Sequence, residues 1–504
     1  MTDSTPHTSL VTLSLTFILP VCFIWASTAL TRYYKLRYAI KAHGCKPARF
    51  LPQWDPIWGL DAAVQMFRSY GQGNRSAIFK EQHATYGPTF QSLALGKIRI
   101  FTIDPVNLQS IFNADFQSWG VQPLRLAAWK PLLGAGVMDT DGPHWRFSRD
   151  MVQPLFRREQ ISDLSAFSIY TDRLLEHIPR DGSTVDMQPL FARLILDFTM
   201  EFLFGVSSET LTSTPDKDAM GFLEAFHYGQ AGMGKRTQLP YLMVFNTDAK
   251  FRESCVIVRG FVDKYIERAR GRLSRPKVDE RRYILVDELL KQDISGDELR
   301  SQLLNVFLAA HDTTAVLMTN TIFNLARNPE VYKNLRAEIL QEKSVPLTID
   351  GLKRFKYLQN VVTETSRLTP VVGQSARIAL KDTTIPRGGG DSGDAPIYVQ
   401  RGTSVQFNYF ALHRRAEVYG KDAEAFRPSR WDELKIGTWD FLPFIGGPRV
   451  CPANQMAFWQ VCYTTARIVH QFNAIENRDP VLEFVEQYRI TTDSKNGCKV
   501  GMRI

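Results

Sequence analysis

Residues 441–462 read FLPFIGGPRVCPANQMAFWQVC, and the reading of this stretch decides the fold. Phe444, Gly447, Arg449 and Cys451 stand in the spacing FxxGxRxC, and a helical pattern begins at about Ala453. Gly446 and Gly447 permit a tight turn with inward-pointing backbone amides. Pro452 suits the first turn of a helix, where its missing donor costs nothing. A thiol just before a helix N-terminus and close to Arg449 has its thiolate favoured by the dipole and by positive charge, and a thiolate is a strong donor to a soft or borderline metal. Phe444 is placed to shield the sulfur from water. A merely buried cysteine needs neither the turn nor the arginine; Cys462, eleven residues on in the same helix, fits that plainer role.

Upstream lie two further helices. Ser295 followed by Glu298 reads as a capping box, and the helical pattern then runs to Asn328-Pro329, where the proline enforces a stop. Between Arg300 and Arg327 the only formal charge is Asp312, within Ala309-Ala310-His311-Asp312-Thr313-Thr314. A lone carboxylate in so apolar a helix is expensive unless it is paired or hydrated. Two readings stand: local bonding, with Thr313 returning a hydrogen bond to the preceding turn, or a local opening at Thr313 that makes a polar groove against a flat ligand lying over Ala309. The second helix runs from about Asp350 to Pro370, with Glu364 and Arg367 three apart on one face. Alone, that pair is a surface ion pair worth a few tenths of a kcal/mol.

Taken together and in this order, Phe444 to Ala453, Glu364 to Arg367 and Ala309 to Thr314 resemble the signature set of the cytochromes P-450. Trp145-Arg146-Phe147-Ser148-Arg149 resembles the family's WxxxR helix, and Phe426 to Trp431 resembles its FxPxRF meander. Ala453, Ala310 and Ser429 depart from the pattern, where glycine, glycine and glutamate are usual. The resemblance implies a mainly α fold with small β-sheets (α+β) and a haem held by Cys451 as proximal metal ligand. It further implies that Trp145, Arg149, Arg377 and Arg449 hold the haem propionates, with Phe444 and Gly447 shaping the cofactor loop. Glu364, Arg367 and Arg430 resemble the family's buried structural triad, Asp312 and Thr313 its acid-alcohol pair for delivering protons to bound O2. By position, the substrate pocket lies over Ala309, under Val371-Val372, beneath loops around Trp119 to Leu133, with the tail at 490–500 adding a hairpin.

The implied activity is insertion of one oxygen atom from O2 into an apolar substrate, with electrons from NADPH through a separate cytochrome P-450 reductase and cytochrome b5 as a further donor. HGCKPARFLPQWDPIWGLD and YFALHRRAEVYGKDAEAFRP resemble the fungal branch that hydroxylates alkanes and fatty acids, a branch similar also to tailoring enzymes of secondary metabolism. Two other readings stay open. One is a haem-thiolate isomerase or dehydratase, which needs no proton relay; the other is a non-catalytic membrane haem protein.

The rest of the chain bounds these readings. Leu10 to Leu30 carries no charge, long enough to cross a hydrocarbon core of about 30 Å, and Arg32, Lys35, Arg37 and Lys41 follow at once. The positive-inside rule then predicts a single-pass anchor in the endoplasmic reticulum membrane with the bulk of the chain in the cytosol. The expected organisation is an anchor region at 1–31, a basic connector at 32–60 stiffened by Pro47, Pro52 and Pro56, and one catalytic domain at 61–504. The 61 Lys and Arg against 52 Asp and Glu give a net charge of +9, spread without runs, which fits a membrane or an acidic protein partner and speaks against nucleic acid. Six cysteines stand far apart with no CxxC pair, as in a reducing compartment.

Overall fold

The computed structural model describes residues 33–157, 164–238, 248–274, 284–342 and 344–504, with five positions between 23 and 31. Its principal helices are α1 (Arg75–Tyr86), α2 (Gln122–Leu133), α3 (Gly142–Val152), α4 (Met187–Phe204), α5 (Lys217–Gln238), α6 (Ala249–Leu273), α7 (Gly296–Arg327), α8 (Pro329–Gln341), α9 (Lys356–Leu368) and α10 (Asn454–Gln471). The nearly chargeless stretch forms α7, with Ser295 Oγ accepting from the Glu298 amide at 3.2 Å as the capping box requires. An apolar helix of 32 residues cannot be amphipathic, so it lies in the core, most extensively against α4, which is as hydrophobic along its own length. Helices α9 and α10 close the other side.

The strands are short: β1 (Arg49–Phe50), β2 (Thr89–Ala94), β3 (Lys97–Thr102), β4 (Trp119–Gly120), β5 (Asp181–Asp186), β6 (Gln374–Ala379), β7 (Thr383–Gly389), β8 (Ala395–Val399), β9 (Ser404–Asn408), β10 (Ala474–Asn477), β11 (Glu486–Tyr488), β12 (Thr492–Ser494) and β13 (Lys499–Arg503). They pair as one six-stranded sheet, order β1-β2-β3-β9-β6-β4, as β10-β13-β5, and as the hairpins β7-β8 and β11-β12. Gly388-Gly389-Gly390 lies at the β7-β8 hairpin, with Gly388 at φ 107° and Gly390 at φ 77°. The expected mainly α architecture with small sheets is present.

Several local expectations need correction. The helix expected from about Asp350 begins only at Lys356, because the Glu338 carboxylate of α8 takes the Tyr357 and Leu358 amides at 2.8 and 2.9 Å and so caps α9 from outside. Helix α10 begins at Asn454, leaving Pro452 outside its first turn, since the bonds Val450 N–H to Gly447 O and Cys451 N–H to Phe444 O hold the preceding residues in the loop. The anchor expected at Leu10 to Leu30 lies outside the described residues, save Phe23, Ser27, Thr28 and Leu30; no helix among the described residues is long and apolar enough to cross a membrane.

The turn before α3 is fixed to the core by Asn305 of α7. Asn305 Oδ1 accepts from the Met138 amide at 3.1 Å and its Nδ2 donates to Leu133 O at 3.4 Å; a Cβ on Gly136 would come within 2.6 Å of this side chain. Asp139, fully buried in the turn, accepts from the Gly136 amide at 2.7 Å. Burial pushes its carboxyl up to about 7 despite that bond and the charge of Arg125.

Glu364, Arg367 and Arg430 are all fully buried. Arg367 Nε and Nη2 both donate to the Glu364 carboxylate at 2.8 Å, and Arg430 Nε donates to it at 2.8 Å. The Arg427 amide at 2.9 Å and Trp431 Nε1 at 3.0 Å complete the set. The remaining guanidinium protons reach carbonyls of His413, Tyr419, Ala423 and Ala425. A buried ion pair offsets its desolvation only when its hydrogen bonds are filled in this way. Glu364→Gln leaves the buried Arg367 without its counter-charge and Arg430 with Asp422 alone at 3.2 Å, and we expect a loss of about 3–5 kcal/mol in chemical denaturation; a change within error of wild type would remove the triad from the stability account.

Asp139 generates a pH prediction. Its folded-state pKa is raised, so between the ordinary carboxylate value of 3.8 and about 7 the native state holds a proton that the unfolded chain has released. That contribution to stability is full below this window and is lost as pH rises through it. Asp139→Asn keeps the acceptor for Gly136 and should flatten the fall in melting temperature across that window; parallel curves would contradict it.

Candidate active site

The core cavity lies between α7 on one side and the cysteine loop on the other, with a volume of about 790 Å³. Ala309, Ala310, Thr313 and Thr314 form the α7 wall, and Phe444, Arg449 and Cys451 face them. The loop is built on its glycines: Gly447 sits at φ 69°, and a Cβ there would fall 1.8 Å from the carbonyl oxygen of Phe112. No side chain is tolerated at that approach. The Phe444 carbonyl accepts from the Cys451 amide at 3.1 Å, which aims the thiol at the cavity.

The expected ready thiolate is only half realised. Burial pushes the Cys451 thiol above its ordinary range, opposed by the Ala453 amide and the charge of Arg149. The Cys462 thiol, with nothing but apolar surroundings, is pushed up much further. Cys451 therefore has the two groups that favour its anion and lacks only a cation on its open side.

Around the rim converge three guanidiniums. Arg449 donates to Thr140 O at 2.7 Å and to Asp141 Oδ1 at 2.6 Å, stacks 4.6 Å above the Trp145 ring, and keeps a buried Nε with no partner. Arg377 of β6 is buried, lies 4.9 Å over the Phe112 ring and, among the described residues, donates only to its neighbour's carbonyl, Ala376 O, at 2.9 Å. Arg125 of α2 reaches Met138 O at 2.7 Å. Burial depresses all of them, and neighbouring guanidiniums lower two of them further: Arg449 falls to about 9, chiefly by desolvation and then by the charge of Arg377, and Arg377 to about 10, by desolvation and then Arg125. Arg149 differs from its expected place. It donates to Val450 O at 2.8 Å and braces the cysteine loop beside the thiol, while still lining the cavity.

So many buried cations need anions, and Asp141 and Asp139 do not supply enough. A flat apolar dianion, with a metal reaching the sulfur and two carboxylates at the arginine rim, fits this donor set; haem is such a group. Arg125 belongs to the rim although sequence reading missed it, since nothing in QPLRLAAWK marks one arginine of an ordinary helix. Asp141 was missed as well; it holds the rim by accepting the Val121 and Gln122 amides.

Of the acid-alcohol pair, only Thr313 lines the cavity. Its Oγ1 donates to Ala309 O at 2.7 Å, the local return bond rather than an opened helix, and α7 runs unbroken through it. Asp312 is buried away from the cavity lining and accepts from the hydroxyl of Thr491, a residue sequence reading did not single out. Ala309, Val371 and Val372 line the cavity. Of the segment at 119–133, Val121 and residues of helix α2 (Pro123, Leu124, Arg125 and Trp129) line the cavity, from a helix rather than from loops. From the tail, Tyr488, Arg489 and Ile490 reach the cavity, while residues 499–503 belong to a different sheet.

The Cytochrome P450 family profile matches residues 52–497. A cytochrome P450 monooxygenase of Fusarium heterosporum, fsdH, is 35% identical, with 94% of this chain and 86% of that protein covered. The monooxygenase himC of Aspergillus japonicus is 34% identical over 91% and 84% of the two chains. Cytochrome P450 52A12 of Debaryomyces hansenii is 36% identical over 89% and 90%. A cysteine aimed across a cavity rimmed by unsatisfied arginines, together with likeness along nearly the whole chain, leads to one conclusion: this chain belongs to the cytochrome P450 family of haem monooxygenases, which use O2 and electrons supplied by a reductase.

Proposed function

We propose that this protein hydroxylates, or otherwise oxidises by one oxygen atom, an apolar compound of the alkane, fatty-acid or secondary-metabolite class, with Cys451 as the residue whose sulfur would hold the haem iron. The observation that carries the reading is that Cys451, Thr313 and Ala309 line one cavity together with Arg377, Arg449 and Arg125. Haem held there supplies the activation of dioxygen. The chain's own residues do the rest. Arg125, Arg377 and Arg449 hold two carboxylates, and Arg149 with the Ala453 amide steadies the sulfur's charge. The packed wall of Val306, Leu317, Val371 and Val372 excludes water and orients an apolar substrate. The Thr313 hydroxyl, on breaking its bond to Ala309 O, can take and give a proton at the cavity wall, with Asp312 behind it as the acid. Likeness to cytochrome P450 52A12 and to the fungal monooxygenases supports the monooxygenase class.

We also assign residues 1–31 to a membrane anchor, 32–60 to its connector and 61–504 to the catalytic domain, held at the cytosolic face of the endoplasmic reticulum and served by NADPH-cytochrome P-450 reductase, with cytochrome b5 as a further donor. Trp54, Ile57 and Trp58 are 76%, 72% and 60% exposed in the connector, and Phe50, Leu60 and Phe67 extend the patch. So many exposed apolar side chains between residues 50 and 67 fit a bilayer.

The first test is the reduced, carbon-monoxide difference spectrum of membranes carrying wild type or Cys451→Ala. The thiolate band that names the family should appear in the first and vanish in the second; its absence from wild type would overturn the ligand assignment. Thr313→Val should lower product formed per NADPH consumed by roughly tenfold or more, while NADPH consumption continues. Unchanged coupling would remove the threonine from proton delivery.

A further inference from the structure

Behind the cavity wall, α7 presents a second constellation. His311 is fully buried, its ring stacked on Phe307 at 5.2 Å and 9° and set edge-on to Phe226. Its Nε2 lies 3.0 Å from the carbonyl oxygen of Ala192 on α4. A carbonyl only accepts, so Nε2 carries the proton and Nδ1 the lone pair. That Nδ1 is buried without a partner. His227 of α5 packs 5.9 Å away, centroid to centroid, and Asp312 follows His311 in the chain. One ligand-competent atom from each of His227, His311 and Asp312 lies within 4.8 Å of the others, which no other such trio among the described residues achieves.

We infer that His227, His311 and Asp312 form a divalent-cation site of the zinc class, buried against the distal face of α7. Two imidazole nitrogens and one carboxylate are a borderline donor set that suits zinc, and a fourth position is left for water. The backbone carbonyl on Nε2 is the outer contact that fixes a metal-binding tautomer and ring orientation. Neutral imidazole is the ligating form. Arg489 does not spoil the charge balance, because it pairs with Asp493, which also accepts from Gln188 Nε2 at 3.0 Å. Asp312 and Asp493 against Arg489 leave the pocket one negative charge. Tetrahedral bonds of 2.0–2.1 Å need donors roughly 3.3 Å apart, so the side chains close inward on the ion. Asp312 accepts from Thr491 through Oδ2 and keeps Oδ1 for the metal.

The inference shares Asp312 with the proposed proton path, yet its test does not depend on turnover. The full-length haem-loaded protein is titrated with zinc sulfate in a calorimeter, and the zinc X-ray absorption edge is recorded on the product. One equivalent should bind, with two imidazole nitrogens in the first shell. His227→Gln, which keeps a polar side chain of similar length on α5, should weaken binding by at least about tenfold. His144→Gln, at a surface pair with Glu298, should leave it unchanged. No uptake, uptake indifferent to His227→Gln, or uptake lost in His144→Gln would each overturn the site, whatever the role of Asp312 in catalysis.

Discussion

The Glu364 carboxylate, buried with five hydrogen-bond donors around it, is the constraint from which the heart of the molecule is hung. Its charge is what allows Arg367 and Arg430 to be buried at all, and their remaining protons hold the backbone of residues 413–425. That backbone in turn carries His413, whose Nε2 accepts from the Leu442 amide at 3.0 Å, at the entrance to the cysteine loop. Tyr419 adds a bond from its hydroxyl to Asp440 O at 2.9 Å. The position of the Cys451 sulfur is thus inherited, through two residues of backbone and one imidazole, from an ion pair in another helix.

The cavity reverses that economy. Around Glu364 every charge is answered, whereas the rim formed by Arg125, Arg377 and Arg449 is left electrostatically unfinished by the polypeptide. A protein that folds with like charges gathered in a dry place has stored part of its binding free energy for a ligand that brings the opposite charge.

How much of this was legible in the residues depended on the range of the interaction. The cysteine loop and the capping box of α7 are local, so their spacing alone located them. Glu364 and Arg367 were visible as a pair, but the five-donor environment was not, because Trp431 and the Arg427 amide arrive from more than sixty residues away. The start of α9 was misplaced for the same reason, its cap being Glu338 of another helix. Asp312 shows a subtler limit. Successive helical residues point about 100° apart, and a helix apolar all round has no polar face to set the phase, so nothing in its sequence tells that Thr313 turns to the cavity while Asp312 turns to Thr491. Arg125 could be found only through the tertiary convergence of α2 with β6 and the loop.

The sheet β10-β13-β5 carries a consequence for the life of the chain before it is finished. Strand β13, residues 499–503, lies in its centre and supplies the partner of β5 at 181–186. During synthesis at about 5–20 residues per second, β5 waits roughly 15–60 s for that partner. An open strand edge is a template for pairing with another nascent chain. Its sequence, DGSTVD, with an aspartate at each end and small polar residues between, is poorly suited to such pairing. The same residues that make β5 a weak strand in the finished protein keep it harmless on the ribosome.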